Sequence, residues 1–571
     1  MSELDQDYHC LPGDIQKAFD IARQKLCDRK VVSRIWSRDY TVWRPDPTKI
    51  TDRLGWLEVA SETLQDLPEL KSRIDRLHGN QLTDVVLLGM GGSSLCPEVF
   101  KIIFGQLPNH PCLHVLDSPS PDWVRSVTEN IKLPSTLFIV ASKSGGTIEV
   151  MSGYKHFWNL VSQERKDPGQ QFIAITDPET SLVELAAESG FADTFINSPE
   201  IGGRYSALSL FGIVPALLIG VDVEEILRRA CRMVDACRRE DVLANPGARL
   251  GLFMTACAAV GRDKLTLVLD PKLESLGLWI EQLIAESTGK EDKGILPIAM
   301  EPVESVSFYG FDRAFVSIHE KGNDTFEEAL ELLSNAGHPV MKLEMDDLLD
   351  MGAEFYRWEF ATGVVSHFLE IQPFDQPDVQ EAKRLTGEVI AEYKQTGMLP
   401  HPEDSWSLDS LLETAAPGQF IALLAYTRET PEVDAALKEL RRVFMRRFCL
   451  ATTCGYGPRY LHSTGQYHKG GPNTGLFIQL VQDQEELPIP GEPYGFSVLF
   501  RSQALGDYQA LISRGRKVAR VSLGSDTVEE INKLVEKVQN LQQDGNLVSG
   551  IDLQQIPVNG SRLSLFRVSS E

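Results

Sequence analysis

The stretch FIVASKSGGTIE, residues 138–149, decides the fold of the first half of this chain. Its apolar start predicts a buried β-strand, the serine and glycine residues predict a tight turn, and the residues that follow predict a helix. The turn carries the hydroxyls of Ser142, Ser144 and Thr147, the ammonium of Lys143, and two glycines that let the backbone approach a ligand. Free N–H groups at the start of a helix attract anions, so this loop is suited to a phosphate monoester. Taken alone, a turn of this composition is about as likely to be a structural connection as a ligand site, because turns favour these residues anyway.

The bulk composition restricts the class of protein. A chain of 571 residues is too long for one hydrophobic core, so two or three domains are expected. The formal charge of −25 argues against nucleic acid or an anionic membrane as the main partner. Nine cysteines without a C-x-x-C pair indicate neither a disulfide framework nor a zinc site. With neither a secretory signal nor a membrane span in the sequence, we expect a cytoplasmic protein.

Apolar runs alternate with helical stretches along most of the chain, which is typical of parallel sheets covered on both faces. We therefore predict an α/β fold with a helical N-terminal segment at residues 1–50, a first sandwich domain at 51–240 that carries the phosphate loop, and a second at 241–571. The predicted strands are 85–88, 113–116, 137–140, 172–175, 265–269, 314–318, 339–343, 420–425, 476–480, 496–500 and 518–523.

A second glycine-rich loop follows a strand in VVLLGMGGSSLCP, residues 85–97. Gly92 and Ser93 would lie at a helix N-terminus at the carboxyl edge of the sheet, where open α/β sheets bind ligands. A purely structural turn and a ligand-binding loop are roughly equally consistent with this segment taken alone. Neither loop has the G-x-G-x-x-G dinucleotide pattern or the G-x-x-x-x-G-K-[ST] pattern of nucleotide-binding P-loops.

Two further segments offer charged groups to such a cleft. In GGRYS, residues 202–206, Arg204 follows Gly203 and stays protonated at any relevant pH, although most arginines form surface ion pairs. In WIEQLIAESTGK, residues 279–290, Gln282 and Glu286 are four apart and therefore share one helix face. Glu286, at the helix end, is placed usefully for a proton-abstracting base, although a solvated glutamate is the commoner case.

Together these strings resemble a known family. GMGGSSL, ASKSGGTIE, GGRYS and EQLIAESTGK, in this order, are similar to phosphoglucose isomerases, which are built from sugar-isomerase domains. Two longer segments are most similar to the isomerase portion of bacterial transaldolase–glucose-6-phosphate isomerase fusions. They are ESTGKEDKGILP and GYGPRYLHSTGQYHKGGPNTG. The resemblance covers most of the chain from about residue 80 and implies two three-layer αβα sandwiches. A transaldolase barrel segment does not precede it, so only isomerase activity is expected.

Two more motifs of the family occur in an unusual order. FDQPDVQEAK, residues 374–383, is similar to FDQPGVEAYK and places Gln376 and Lys383 at the matching spacing. YLHSTGQ, residues 460–466, resembles LHSLGQ and points to His462. In ordinary members the histidine motif comes first, so we predict a second domain with permuted connectivity. The alternatives are that Lys383 is a solvated helix residue and that His462 is a hydrogen-bonded core residue. The nearby His468 and Lys469 make the assignment ambiguous.

The resemblance implies interconversion of glucose 6-phosphate and fructose 6-phosphate, a step of glycolysis and gluconeogenesis. It implies ring opening by His462 and Lys383, transfer of the C2 proton by Glu286 through a cis-enediol, and charge stabilisation by Arg204. Neither a cofactor nor a metal is expected, and a homodimer is an expectation of the family. The residues implied in substrate binding are Gly92, Ser93, Ser142, Lys143, Ser144, Thr147, Gly203, Gln282 and Gln376.

Two alternatives remain open. A sugar-phosphate-binding regulator could keep the phosphate loop without needing the set of Glu286, His462 and Lys383. An isomerase acting on mannose 6-phosphate, alone or beside glucose 6-phosphate, would share all these motifs, because C2 stereochemistry is distinguished by the shape of the pocket.

Overall fold

The computed structural model describes residues 8–77, 82–401 and 406–541. The strands are β1 (Tyr8–Cys10), β2 (Asp84–Leu88), β3 (Cys112–Leu116), β4 (Thr136–Ala141), β5 (Phe172–Thr176), β6 (Asp193–Ile196), β7 (Lys264–Leu269), β8 (Leu296–Ile298), β9 (Arg313–Glu320), β10 (Val340–Met345), β11 (Phe420–Tyr426), β12 (Ala451–Tyr456), β13 (Gly475–Gln482) and β14 (Lys517–Leu523). The helices are α1 (Gly13–Asp28), α2 (Val31–Trp36), α3 (Val59–Leu77), α4 (Leu95–Phe104), α5 (Pro121–Asn130), α6 (Ile148–Glu164), α7 (Ser181–Glu188), α8 (Leu210–Leu218), α9 (Val223–Cys237), α10 (Pro246–Ala259), α11 (Leu276–Thr288), α12 (Glu327–Asn335), α13 (Met351–Leu369), α14 (Val379–Thr396), α15 (Leu408–Leu412), α16 (Pro431–Phe448), α17 (Gly465–Gly470), α18 (Phe496–Ser513) and α19 (Thr527–Gln539).

The first sheet has five parallel strands in the order β3-β2-β4-β5-β6. Strands β2, β4 and β5 are buried along their whole length, as expected for near-continuous apolar runs covered on both faces. Because β2 and β4 are neighbours in one parallel sheet, the two glycine-rich loops that follow them leave the same edge. This adjacency places both loops beside one another.

Two further sheets follow. The second has the order β1-β10-β9-β7-β8 and is parallel except for β1, and the third is parallel with the order β12-β11-β13-β14. The predicted α/β class with mainly parallel sheets is confirmed. The number of sheets differs from the prediction, because residues 241–571 contribute two sheets where one was expected. The domain boundaries themselves stay a prediction.

The helical N-terminal region packs against a buried helical layer. Helix α13 is buried along nearly its whole length and lies against α9, α10 and α11. Trp43 and Trp56 are buried, and the Trp56 ring contacts the ring of Tyr205, the residue that follows Arg204. The N-terminal region therefore supports the segment that carries the site arginine.

The predicted strand at 496–500 is wrong, because these residues form the first turns of α18. A short apolar run does not distinguish a buried strand from a buried helix, and α18 is buried on all its faces. Strand β12 was missed, since its sequence ATTCGY is only weakly apolar. Within the residues that the structure describes, no helix is long and apolar enough to cross a membrane.

Candidate active site

A cavity of about 530 Å³ opens at the carboxyl edge of the first sheet. Every residue predicted for the site lines this cavity except Ser142. The predicted lining residues are Gly92, Ser93, Lys143, Ser144, Thr147, Gly203, Arg204, Gln282, Glu286, Gln376, Lys383 and His462. Two segments that are far apart in the chain, residues 92–204 and residues 282–462, therefore meet around one space.

Close backbone packing explains two glycines at this edge. A Cβ on Gly92 would lie 1.9 Å from the carbonyl oxygen of Gly203, so the two loops could not approach as they do. Gly91 has a φ of +56°, and a Cβ there would lie 2.9 Å from the Cβ of His462. The glycines thus bring the arginine loop and the histidine segment against the loop after β2.

Glu286 lies in the last turn of α11 and is 5% exposed. Its Oε1 is 3.3 Å from Nη1 of Arg204, and its Oε2 is 3.4 Å from Nε2 of Gln282. The same Gln282 amide donates to the carbonyl oxygen of His462 at 2.7 Å. One carboxylate therefore faces the cavity between a guanidinium and an amide that are both buried.

The Arg204 guanidinium is held by the segment that precedes α14. It donates to Ser287 Oγ at 2.9 Å, to the carbonyl oxygens of Pro373 and Asp375, and to Gln376 Oε1 at 2.9 Å. Because these acceptors surround it, the charge stays fixed at the cavity wall. Gln376 therefore contacts the arginine directly. Lys383 lies one to two turns further along the chain, on α14, and is exposed.

Lys290 is a second anchor for the segment that precedes α14. The Lys290 ammonium donates to the carbonyl oxygen of Gln372 at 2.5 Å and to Asp375 Oδ1 at 2.8 Å. Burial, and then the nearby charge of Arg204, lower the pKa of Lys290 to about 7. Lys290 ends the ESTGK string, so its position was visible in the sequence but its contact with residues 372–375 was not.

His462 closes the cavity beside Glu149. Its Nε2 is 3.5 Å from Oε1 of Glu149, which lies in the first turn of α6. Burial raises the pKa of the Glu149 carboxyl, but the hydrogen bond and charge of His462, a backbone hydrogen bond and the charge of Lys383 together outweigh burial, and the net shift is downward. Glu149 was not among the predicted site residues, although it is the last residue of the ASKSGGTIE string.

His468 and Lys469 lie away from the cavity. The His468 ring is 2% exposed and packs against the rings of Tyr460 and Phe477, and burial lowers its pKa well below the ordinary value. Lys469 is buried and donates to Asp507 Oδ1 at 2.5 Å. Of the two neighbouring histidines, the structure places only His462 at the cavity.

The opposite end of the cavity is formed by the loop before α6. Ser144 is exposed, Thr147 is half-buried, and the N-terminus of the 17-residue helix α6 follows them. Ser142 is not among the lining residues: it is 2% exposed, and its Oγ lies 2.9 Å from Oγ1 of Thr147. A ligand phosphate at this loop would meet Thr147 and Ser144 first, with Ser142 orienting the Thr147 hydroxyl.

The basic groups at this end were only partly foreseen. The Lys143 ammonium lines the cavity but forms an ion pair with Asp177, and burial lowers the pKa of Lys143 despite this partner. Arg53 and Lys49 also line the cavity, and they come from the N-terminal region. No local pattern marks those two residues as part of a site, because the tertiary fold alone brings them there.

Among the residues that the structure describes, no three His, Cys, Asp or Glu side chains cluster in a way that could hold a metal ion.

Comparison with known proteins links this geometry to one family. Residues 64–296 match the family described as Phosphoglucose isomerase. A glucose-6-phosphate isomerase of Cyanothece sp. is 28% identical over 393 residues, which is 59% of this chain and 73% of that protein. A glucose-6-phosphate isomerase of Rubrobacter xylanophilus is 28% identical over 389 residues, which is 59% of this chain and 89% of that protein.

Solved structures support the fold. The crystal structure of a hypothetical protein from Thermus thermophilus superposes with a TM-score of 0.57 at 21% identity, covering 68% of this chain and 100% of that one. A glucose-6-phosphate isomerase from Chlamydia trachomatis gives a TM-score of 0.57 at 17% identity, covering 66% of this chain and 86% of that one.

The family match contains the phosphate loop, Glu149, Arg204, Gln282 and Glu286, and it ends before Lys383 and His462. The cavity joins both groups. Residues 64–296 of this chain therefore resemble the phosphoglucose isomerase family, and the cavity joins this region to side chains from the sequence that follows.

Proposed function

We propose that this chain interconverts glucose 6-phosphate and fructose 6-phosphate, a reaction of glycolysis and gluconeogenesis. The observation that carries the proposal is the buried Glu286–Arg204 pair, 3.3 Å apart, which faces the same cavity as the phosphate loop and His462. A binding protein would need the phosphate loop, but it would not need a buried carboxylate held against a fixed cation. The chemistry of an aldose–ketose isomerase needs both.

Substrate binding begins with the phosphate. The Ser144 and Thr147 hydroxyls and the N-terminus of α6 would hold it, with Arg53 and Lys49 adding positive charge at the mouth and Lys143 paired with Asp177. Binding energy gathered at this end positions the sugar over Glu286, because the phosphate itself does not react.

Ring opening requires a proton on the ring oxygen O5 and removal of the proton from the O1 hydroxyl. The His462 imidazole, beside Glu149, and the Lys383 ammonium are the titratable groups for these two transfers. Glu149 would orient the His462 ring. When the C1–O5 bond breaks, O5 gains the donated proton and C1 becomes an aldehyde.

The isomerisation step follows at Glu286. The C2 proton is weakly acidic because the C1 aldehyde is adjacent, and Glu286 would remove it to give a cis-enediolate. On the enediolate the hydroxyl proton passes from O2 to O1, and the same carboxylic acid would then return the first proton to C1, which leaves a hydroxyl at C1 and the ketone at C2. Arg204 would stabilise the enediolate oxygens, and it requires no reorganisation because Pro373, Asp375, Gln376 and Ser287 already hold it.

The single test is a coupled assay of the purified chain with glucose, fructose and mannose 6-phosphates. We expect turnover of the first two in both directions. Turnover of mannose 6-phosphate as well would make the enzyme a dual isomerase. Tight binding of all three without turnover would replace the proposal with a sugar-phosphate regulator.

Further expectations of the resemblance are proposals of the same kind. They are a cytoplasmic location, a sugar phosphate as the small-molecule ligand, no nucleic acid or membrane partner, a homodimer, and a close relationship to the isomerase portion of transaldolase fusions. Because Glu286, Lys383 and His462 of one chain line one cavity, a dimer would not be needed to complete the site. Specific activity that stays constant on dilution through the dimer dissociation range would support this point.

A further inference from the structure

A second cavity, of about 350 Å³, lies against a different face of α11. Its walls come from α4, α11, α16 and β12, and none of its lining residues lines the sugar cavity. Leu95, Leu278 and Leu437 give it an apolar body. Its mouth reaches the surface at Ile102, which is 49% exposed, so a small molecule has a path to enter.

One buried carboxyl in this cavity has no partner. Glu281 is 5% exposed and lines the cavity, and within the described residues neither a hydrogen bond nor an ion pair reaches it. Burial raises the pKa of Glu281 to about 8, an effect that the charge of Arg441 opposes. Buried polar groups are ordinarily paired, so an unpaired carboxyl that faces an empty space indicates a place for a ligand group.

The charges around Glu281 indicate the sign of that group. The mouth holds a Glu274–Lys438 ion pair at 3.0 Å, and Arg459 pairs with Glu429 at 2.8 Å. Asp434 accepts a hydrogen bond from Tyr456, and Arg441 donates to the carbonyl oxygens of Ala299 and Met300. Apart from Glu281, the lining has three acidic residues, Glu274, Glu429 and Asp434, and three basic residues, Lys438, Arg441 and Arg459. Cys454 and Tyr456 also line the cavity and are neutral. Asp117 and Glu98 face Arg459 from outside the lining.

The lining charges therefore balance without Glu281. With Glu281 ionised, the lining carries one more carboxylate than it has cations, and the two acidic neighbours of Arg459 add to the negative side. We propose that this cavity binds a small organic cation with an apolar body, whose amidinium or ammonium head pairs with Glu281. A metal ion is a poor match, because the described residues bring no three ligating side chains together here.

Benzamidine is a suitable probe, since its ring fits the leucine walls and its amidinium can bond a carboxylate through two N–H groups. At about pH 9, where Glu281 is ionised, we expect millimolar benzamidine to raise the melting temperature of the wild type. Benzamide, which has nearly the same shape but no charge, should do so much less. Glu281→Gln should abolish the benzamidine effect, whereas Glu274→Gln, an equal change of charge at the mouth, should preserve it.

Titration calorimetry of the wild type gives a second, independent readout. Benzamidine should bind with release of a proton near neutral pH, and its affinity should fall about tenfold per pH unit below pH 8, because the cation must displace the Glu281 proton. Equal stabilisation by benzamide, an undiminished effect in Glu281→Gln, or no binding by either probe would each overturn the proposal. None of these measurements depends on the isomerase assay.

Discussion

The two ends of the sugar cavity differ in how far they are organised before a ligand arrives. At one end, Glu286 and Arg204 are 5% and 3% exposed, and Arg204 is bound by four neighbouring residues. At the other end, Ser144 is exposed and Thr147 half-buried. The buried end holds charges in fixed positions, and the open end offers hydroxyls and a helix N-terminus to solvent.

This difference separates binding from chemistry. Fixed charges in a water-excluded site are worth most in the transition state, because they need no reorganisation there. Exposed hydroxyls bind substrate and transition state alike, and so affect the Michaelis constant. Substitutions at the two ends should therefore change different kinetic constants.

The largest effect is expected for Glu286→Gln. The amide keeps the shape of the side chain and can still accept from Gln282, but it cannot take the C2 proton. We expect kcat to fall by about 10²–10⁴-fold with little change in the affinity for a sugar phosphate, as is typical for a lost general base. Steady-state kinetics together with equilibrium binding would measure both.

The control for this substitution is Glu291→Gln, an exposed glutamate that pairs with Arg44 just beyond α11. It should behave as the wild type. Turnover of Glu286→Gln within a factor of a few of the wild type would remove this residue from the mechanism.

The next effect concerns the two histidines. His462→Ala should lower turnover of cyclic glucose 6-phosphate by about 10²-fold, the low end for a positioned acid or base. It should spare exchange of the C2 proton in substrate that is already open-chain, since Glu286 and Arg204 carry out that step. Comparing steady-state turnover with solvent deuterium exchange separates the two steps.

His468→Ala is the matched variant six residues away. It should leave both rates nearly intact and lower the free energy of unfolding, because the ring fills space between Tyr460 and Phe477. A catalytic defect confined to His468→Ala would show that the wrong histidine has been assigned.

A smaller effect is expected at the open end. Ser144→Ala combined with Thr147→Val should raise the Michaelis constant, because each hydrogen bond to a charged phosphate oxygen is worth about 1.5–3 kcal/mol. The value of kcat should change far less. Protection against thermal unfolding by inorganic phosphate would give the same answer without turnover.

Ser142→Ala tests the arrangement within the loop. Its hydroxyl contacts Thr147 and not the cavity, so its effect on the Michaelis constant should be clearly smaller than that of Thr147→Val. A larger effect would mean that the loop rearranges to bring Ser142 to the phosphate.

The smallest effect is a pH dependence at the buried end. The pKa of Lys290 is about 7 in the folded chain and has its ordinary, higher value in the unfolded chain. Between these values the unfolded state binds the extra proton, so this residue makes stability rise as pH increases above about 7. In Lys290→Met that contribution should vanish, and urea unfolding at several pH values would show a flatter profile than in the wild type.

Lys290→Met should also loosen the segment that holds Arg204, because the ammonium anchors Gln372 and Asp375. A lower kcat with an unchanged Michaelis constant would fit the contrast between the two ends. An effect on the Michaelis constant alone would contradict it.

Much of the site was readable from local sequence because it depends on local geometry. Residues four apart share a helix face, which puts Gln282 beside Glu286. A buried apolar run before a serine- and glycine-rich turn predicts a strand that ends at a helix N-terminus, and β4 and α6 follow that pattern. Hydrogen bonds between near neighbours set these features, so a dozen residues are enough to specify them.

Other features were decided by packing between distant segments. A third sheet forms after residue 400, and the apolar run at 496–500 becomes a helix because α14 packs along α18. Glu149 meets His462 across more than three hundred residues, and Arg53 reaches the phosphate end from the N-terminal region. No local pattern specifies such contacts, because the free energy that makes them comes from burying surfaces that are remote in the sequence and adjacent only in the folded chain.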